Sequence, residues 1–335
     1  MGVRYTLVPK RGLFLLFLLA LGTVSLVIAQ QNQSGPPLAV TAAPASDTPE
    51  FRIVKRVDEV NLRFTVTDSH GHFQNQLTSQ DFSVLDNHQP PAAIHFFQQQ
   101  SALPLRVGIL LDVSSSVAPS FKTEQKAAGV FLQKVLRPGY DEAFVVTFNQ
   151  NVHLLEDWTG DPKAAFAKVH ALQAGGDTAL YDAIIYACER LRQKPADTIA
   201  RPVIVLITDG DDTASKATLY DAEQAAARTE TILFALSTNV VTPGYYPKGE
   251  AVLALLSGPT GGRILQAHEG WQLTNSFAQI EQALRSEYVL GYQPADLKPD
   301  GSFRPIEILP LKSKLQVRSR RGYYSPRETA SEQPF

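Results

Sequence analysis

Hydrophobic and polar positions follow three successive rhythms between Val60 and Val317. Val60, Leu62, Phe64 and Val66 alternate with Asn61, Arg63, Thr65 and Thr67, the period of two expected of a half-buried strand. Short runs around Phe82 and Val84, then Ile94 and Phe96, extend this β character, broken by Asp86-Asn87 and Pro90-Pro91. From Leu105 the pattern becomes continuous apolar runs between amphipathic stretches. VGILL (107–111), VIVLIT (203–208) and TILFALS (231–237) read as buried strands. AFVVTF (143–148) and VHLLEDW (152–158), joined by Asn149-Gln150-Asn151, predict a hairpin. Helical spacing appears around Phe121, Ala128, Leu132 and Val135, then over 161–172, 179–193, 216–229, 249–257, and at Phe277, Ile280 and Leu284, with a short strand at 261–265. After that the β rhythm returns at Tyr288–Leu290, Phe303–Leu309, and Leu315 and Val317.

Buried strands alternating with helices predict an α/β fold: a doubly wound, mostly parallel sheet with helices on both faces. The two β flanks, 51–100 and 287–325, are each too small to be stable alone. We therefore expect them to pair into one small β-sandwich-like unit, with the α/β domain (101–286) inserted between them. In such a sheet, ligands bind at the carboxyl ends of the strands, where the strand order reverses.

The first 29 residues differ from the rest. Arg4, Lys10 and Arg11 precede an uncharged stretch from Leu13 to Ala29, the form of an export signal cleaved after Ala29; an uncleaved membrane anchor is the alternative. Residues 30–50, with prolines 36, 37, 44 and 49, read as a linker, and 326–335 as a flexible tail. Cleavage removes three cations and no anion, shifting the net charge from −2 to −5. That balance argues against a nucleic-acid binder. Cys188 is the only cysteine, so no intrachain disulfide forms. It lies four residues after Ile184 and eight after Leu180, on the apolar side of a helix, and reads as a small core residue.

Candidate chemistry sits where the sheet rule points. The strand at 107–111 runs into Asp112-Val113-Ser114-Ser115-Ser116, a D-x-S-x-S. Gly175-Gly176-Asp177-Thr178 precedes the helix at 179, and Thr208-Asp209-Gly210 ends another apolar strand. Taken singly, the serines could be helix N-caps and Asp209 a turn residue. Asp211 and Asp212 lie beside the site and are not counted as ligands. His70 and His72, in a turn, read as solvent-facing rather than metal-binding. The Arg318–Arg321 run reads as a solvated strand end.

Together, the three loops resemble the von Willebrand factor type A domain over about residues 103–285. All five positions of its metal-ion-dependent adhesion site (MIDAS) are matched: Asp112, Ser114, Ser116, Thr178 and Asp209. The layout is also similar to a group of exported bacterial proteins known from acidobacterial genomes. These share a β region before the domain and a Y-V-L-G-Y…R-R-G-Y-Y tail, here at 288–292 and 320–324. The resemblance implies that Ser114 and Ser116 bind the metal directly, Thr178 directly or through water depending on state, and Asp112 and Asp209 largely through water. Hydroxyl and carboxylate oxygens are hard donors, which suit Mg²⁺, or Mn²⁺ or Ca²⁺. The implied partner is a protein presenting an Asp or Glu carboxylate as a further ligand, which makes this a metal-dependent binding module of the bacterial envelope or secreted space. Membrane contact is expected only through an uncleaved N-terminal segment.

Two other functions fit less well. A hydrolase would want G-x-S-x-G or a histidine in the strand-end loops, and neither is there. Gly258-Pro259-Thr260-Gly261-Gly262 lacks the lysine of a phosphate loop. A structural envelope module with a vestigial metal site is the second; the intact five-residue set weighs against it.

Overall fold

A computed structural model describes residues 59–327, apart from 101–102, 120, 162, 164–166, 170, 195–199, 241–246 and 268–269. The export signal, the linker, most of the C-terminal tail, Tyr245-Tyr246 and part of the helix expected at 161–172 lie outside the described residues. Among the described residues, no helix is long and apolar enough to cross a membrane.

The larger body is a six-stranded sheet built from β4 (Leu105–Asp112), β5 (Glu142–Phe148), β6 (Val152–Thr159), β7 (Arg201–Thr208), β8 (Ile232–Ser237) and β9 (Ile264–Gln266), in the order β6-β5-β4-β7-β8-β9. All neighbours pair in parallel except β6, which turns back on β5 as a hairpin. Helices α1 (Phe121–Val135), α2 (Leu180–Gln193), α3 (Leu219–Arg228), α4 (Lys248–Ser257) and α5 (Gly270–Arg285) cover both faces.

The continuous apolar runs follow from this double cover. Leu105, Val107, Ile109 and Leu111 of β4 face one core, with Ala128, Phe131 and Leu132 of α1 and Phe277 and Ile280 of α5. Phe131 and Phe277 stack there with ring centroids 4.3 Å apart. Leu110, on the opposite face, joins Leu180, Ile184 and Cys188 of α2 and Leu253 of α4. Gly108 is a glycine because its neighbour on β5, Phe144, lies over it; an added Cβ would sit 2.6 Å from the Phe144 ring.

The flanks form the second body. β1 (Val60–Thr67), β3 (Ala93–Gln99), β10 (Glu287–Gln293) and β12 (Gln316–Ser319) make a sheet in the order β12-β1-β10-β3. β2 (Phe82–Asp86), β11 (Phe303–Pro310) and β13 (Gly322–Tyr324) make the order β13-β11-β2. Each sheet mixes strands from before and after the α/β domain. Their shared core holds Leu62, Phe64, Phe82, Tyr288, Leu290 and Ile306, with Phe64 and Phe82 edge to face at 5.0 Å.

The tail motif has a structural job here. Tyr292 and Tyr323 both donate their hydroxyls to the buried carboxylate of Asp86, at 2.7 and 2.8 Å, and Arg304 Nε donates to it at 3.1 Å. This network ties β10, β11 and β13 to β2.

Arg201 clasps the two crossings between the bodies. Its guanidinium donates to the carbonyls of Gln100 (3.2 Å) and Leu284 and pairs with Glu287 at 2.6 Å. Both partners are buried, and burial works against each charge, lowering the Arg201 pKa and raising that of Glu287. Such a pair adds little net stability but is costly to break by removing one member.

Of the basic run, Arg318 and Arg321 are exposed as expected, and Arg320 departs from expectation. Arg320 does not project into solvent: its side chain is 13% exposed and pairs with Glu230 at 2.5 Å across the seam between the bodies. A run of charges signals solvation only where no facing carboxylate is folded against it.

Candidate metal centre

The strand order of the six-stranded sheet reverses around β4, which has β5 on one side and β7 on the other. The loops leaving the carboxyl ends of β4 and β7 therefore open at the switch point, and the loop before α2 folds against them. These loops carry Asp112, Ser114 and Ser116; Asp209; and Thr178.

Hydrogen bonds stitch the loops together. Ser115 donates its amide to the Gly176 carbonyl (2.9 Å), and Gly176 returns its amide to the Ser115 hydroxyl (2.9 Å). Gly175 donates its amide to the Val113 carbonyl at 2.7 Å. Asn149, at the end of β5, donates its side-chain amide to the Gly175 carbonyl (3.0 Å) and accepts the Ala179 amide (2.7 Å). α1 begins only at Phe121, so Ser114 and Ser116 are not its caps.

Asp112 is fully buried. Its Oδ1 accepts the Ser114 amide at 2.8 Å, and its Oδ2 accepts the Thr208 hydroxyl at 2.6 Å. Burial pushes its pKa up to about 6; the bonds from Thr208 and Ser114 oppose the rise, and the charge of Asp209 adds to it. Ser114 is buried and Ser116 exposed, and their hydroxyls lie 3.0 Å apart. Thr178 is buried; Thr213 anchors its backbone in both directions, and its hydroxyl has no hydrogen bond among the described residues.

Asp209 is half-buried and accepts the Asp211 amide on Oδ1 at 3.1 Å. Asn239 holds its carbonyl at 2.7 Å. The turn is shaped by two glycines. Gly210 has φ of +85°, and a Cβ on Gly249 would lie 1.9 Å from the Asp209 carbonyl oxygen. Behind Asn239, the buried Glu250 accepts the Ser237 hydroxyl and, at 3.4 Å, the Asn239 amide.

Several of these positions escape sequence reasoning. Thr208 was visible as the first residue of T-D-G, but not its bond to Asp112. Asn239, Gly249 and Glu250 lie far along the chain and carry no local signal. Asp212 is a helix cap: it accepts the Leu180 amide at 2.8 Å and the Ser215 hydroxyl, which places the start of α2 and with it Thr178.

The donor set fits a hard divalent cation. The buried Asp112 carboxylate has hydroxyl and amide partners but no cationic one among the described residues, and three further hydroxyls and one carboxylate stand on the adjoining loops. Among the described residues, no group of three His, Cys, Asp or Glu side chains converges anywhere. A site for zinc or copper of the usual His/Cys kind is thus not built in this part of the chain. Cys188 is equally remote from such chemistry; burial pushes its thiol up to about 12.

Residues 107–211 match the von Willebrand factor type A domain. All five candidate positions fall inside that span. No curated protein matches the chain in sequence. Among solved structures, the chain is similar to a conserved hypothetical protein BatB from Bacteroides thetaiotaomicron (16% identity, covering 53% of this chain and 98% of that one, TM-score 0.44). It is similar also to a von Willebrand factor type A protein from Catenulispora acidiphila (13%, 82% and 75%, TM-score 0.46). A third is proximal thread matrix protein 1 from the mussel byssus, described with a zinc-occupied MIDAS motif (13%, 58% and 48%, TM-score 0.45).

Proposed function

We propose that this chain is an exported interaction module that holds a divalent cation through Asp112, Ser114, Ser116, Thr178 and Asp209. Through the cation it takes hold of an Asp or Glu carboxylate on a partner protein. The observation that carries the reading is the fully buried, cation-less carboxylate of Asp112 among hydroxyls at the switch point of the sheet. A buried carboxylate is stable only when paired, protonated or bound to metal. The von Willebrand factor type A match over the same loops supports it.

Ser114, Ser116 and Thr178 present neutral oxygens, while Asp112 and Asp209 supply the charge. Oxygen donors of this kind favour Mg²⁺, with Mn²⁺ or Ca²⁺ as substitutes. Because the set holds only two carboxylates, Asp112 and Asp209, a cation held there would stay electrophilic and would supply a position for an anionic oxygen from outside. The residues of this chain fix the loops, keep Asp112 dry, and orient its oxygens through Ser114 and Thr208.

The reading is of binding rather than catalysis. The Ser114 hydroxyl lies beside that of Ser116, while His72, His95 and His88 pair with Asp68, Glu59 and Glu307, away from these loops. Export rests on the signal-like residues 1–29, with 30–50 as a tether. The test is a pull-down from an envelope fraction in Mg²⁺ with EDTA elution. A protein retained by wild type and lost with Thr178→Ala is expected; retention that ignores both EDTA and the variant would defeat the proposal. Turnover of ester or phosphate substrates would favour a hydrolase instead.

A further inference from the structure

A cleft lies far from these loops. It lies at the opposite end of the parallel sheet, in the seam between the β-sandwich and the α/β domain, with an interior volume of about 40 Å³. Phe73, Ile232 and Phe234 give it an apolar wall. Four arginines and two glutamates line it. Two of the six charges are taken up in Arg320–Glu230, at 2.5 Å, and Glu287 is held by Arg201 at 2.6 Å.

That leaves Arg63 on β1, Arg263 just before β9 and Arg318 on β12. None of the three has a hydrogen bond or ion pair among the described residues. The Nε atoms of Arg63 and Arg263 are buried with no acceptor. Burial lowers the Arg263 pKa, and the charge of Arg318 lowers it further, so these two guanidiniums are close enough to repel. Arg318 is exposed and Arg63 feels the charge of Glu287, so the unmet demand lies in the buried Nε donors of Arg63 and Arg263, which an anion entering the cleft would satisfy.

We propose that the seam cleft binds a small dianionic oxyanion, a phosphate monoester or a dicarboxylate, through Arg63, Arg263 and Arg318. The guanidinium fork matches both groups, with two parallel N–H donors to two oxygens. An adjoining cleft shares Arg63 and Glu230 and adds Arg106, Arg228 and Arg192, the last of these paired with Glu189, so further arginines stand beside the mouth. Arg63 and Arg318 belong to the sandwich and Arg263 to the α/β domain. The ligand therefore ties the two bodies together, and its binding stabilises the fold as a whole.

The experiment uses purified protein freed of metal on a chelating resin, since EDTA is itself a polycarboxylate. Thermal shift and calorimetry are run with inorganic phosphate, with succinate, and with sodium chloride at matched ionic strength. Phosphate or succinate should raise the melting temperature by several degrees where chloride does not, and the stronger of the two identifies the ligand group. Arg263→Gln and Arg318→Gln should each weaken binding at least tenfold. Their urea midpoints should stay at or above wild type, because repulsion is relieved, and their response to Mg²⁺ should be unchanged. Equal effects of chloride and the dianions, or wild-type affinity in both variants, would overturn the proposal.

Discussion

Asp112→Asn separates the burial of a charge from the folding of the loops. Asparagine has the same shape: its Oδ1 still accepts the Ser114 amide, and its Nδ2 donates to the Thr208 hydroxyl, which can turn to accept. In the wild type, burial raises the carboxyl pKa from 3.8 to about 6. At about 1.4 kcal/mol for each tenfold change in proton affinity, that corresponds to about 3 kcal/mol. The sign follows from linkage. Well below pH 4 the group is neutral in folded and unfolded chains alike, and no penalty exists. Between about pH 4 and pH 6 the unfolded chain ionises while the folded one keeps its proton, so stability falls with pH, and the whole of about 3 kcal/mol is lost once pH passes 6. The asparagine variant has no such slope. At pH 7.5 without metal it should melt higher than wild type by roughly 5 °C, taking about 2 °C per kcal/mol for a domain of this size. The gap should close towards pH 4. Saturating Mg²⁺ should then raise the wild type and leave the variant where it was. Metal-free melting curves over pH 4–8 decide the matter: a variant no more stable than wild type at pH 7.5, or a gap indifferent to pH, would refute the reasoning.

Three other substitutions or probes follow from the same contacts. Gly249→Ala drives a methyl into the Asp209 carbonyl, so metal affinity measured by calorimetry should fall at least tenfold and urea stability by about 2 kcal/mol. Asp86→Ala strands Arg304, Tyr292 and Tyr323 inside the sandwich and should cost about 3–5 kcal/mol in urea unfolding, with a loss under about 1 kcal/mol counting against the network. Cys188, with its thiol pushed up to about 12, should resist a disulfide reagent at pH 8 in the native protein and react at the rate of unfolding in urea.

Much of the fold was legible because burial on both faces leaves a plain trace. β4, β7 and β8 are apolar at nearly every position since helices cover each side, and β1 alternates because only one face meets the sandwich core. The candidate site was legible for a related reason. Oxygen-bearing residues directly after those runs are carried by the topology to one edge of the sheet. Contacts made across long stretches of chain were not legible. Arg201 clasps Gln100 and Glu287, Asn239 steadies Asp209, and Arg320 meets Glu230; none has a spacing that marks it, because each depends on which loops fold together. The tail motif shows the middle case. Its tyrosines were conspicuous as a pattern, but only the position of Asp86 explains why two hydroxyls are needed there.

The central claim is that the loops of Asp112, Thr178 and Asp209 form one divalent-cation site. Titrating metal-free protein with Mg²⁺ and Mn²⁺ in a calorimeter, beside Thr178→Ala, tests it most directly. The account predicts one ion bound per chain, a melting temperature that rises with the ion and falls back with EDTA, and a variant that keeps its metal-free stability while binding at least tenfold more weakly. No heat and no stabilisation with Mg²⁺, Mn²⁺ or Ca²⁺, in a wild-type protein that unfolds cooperatively, would contradict it.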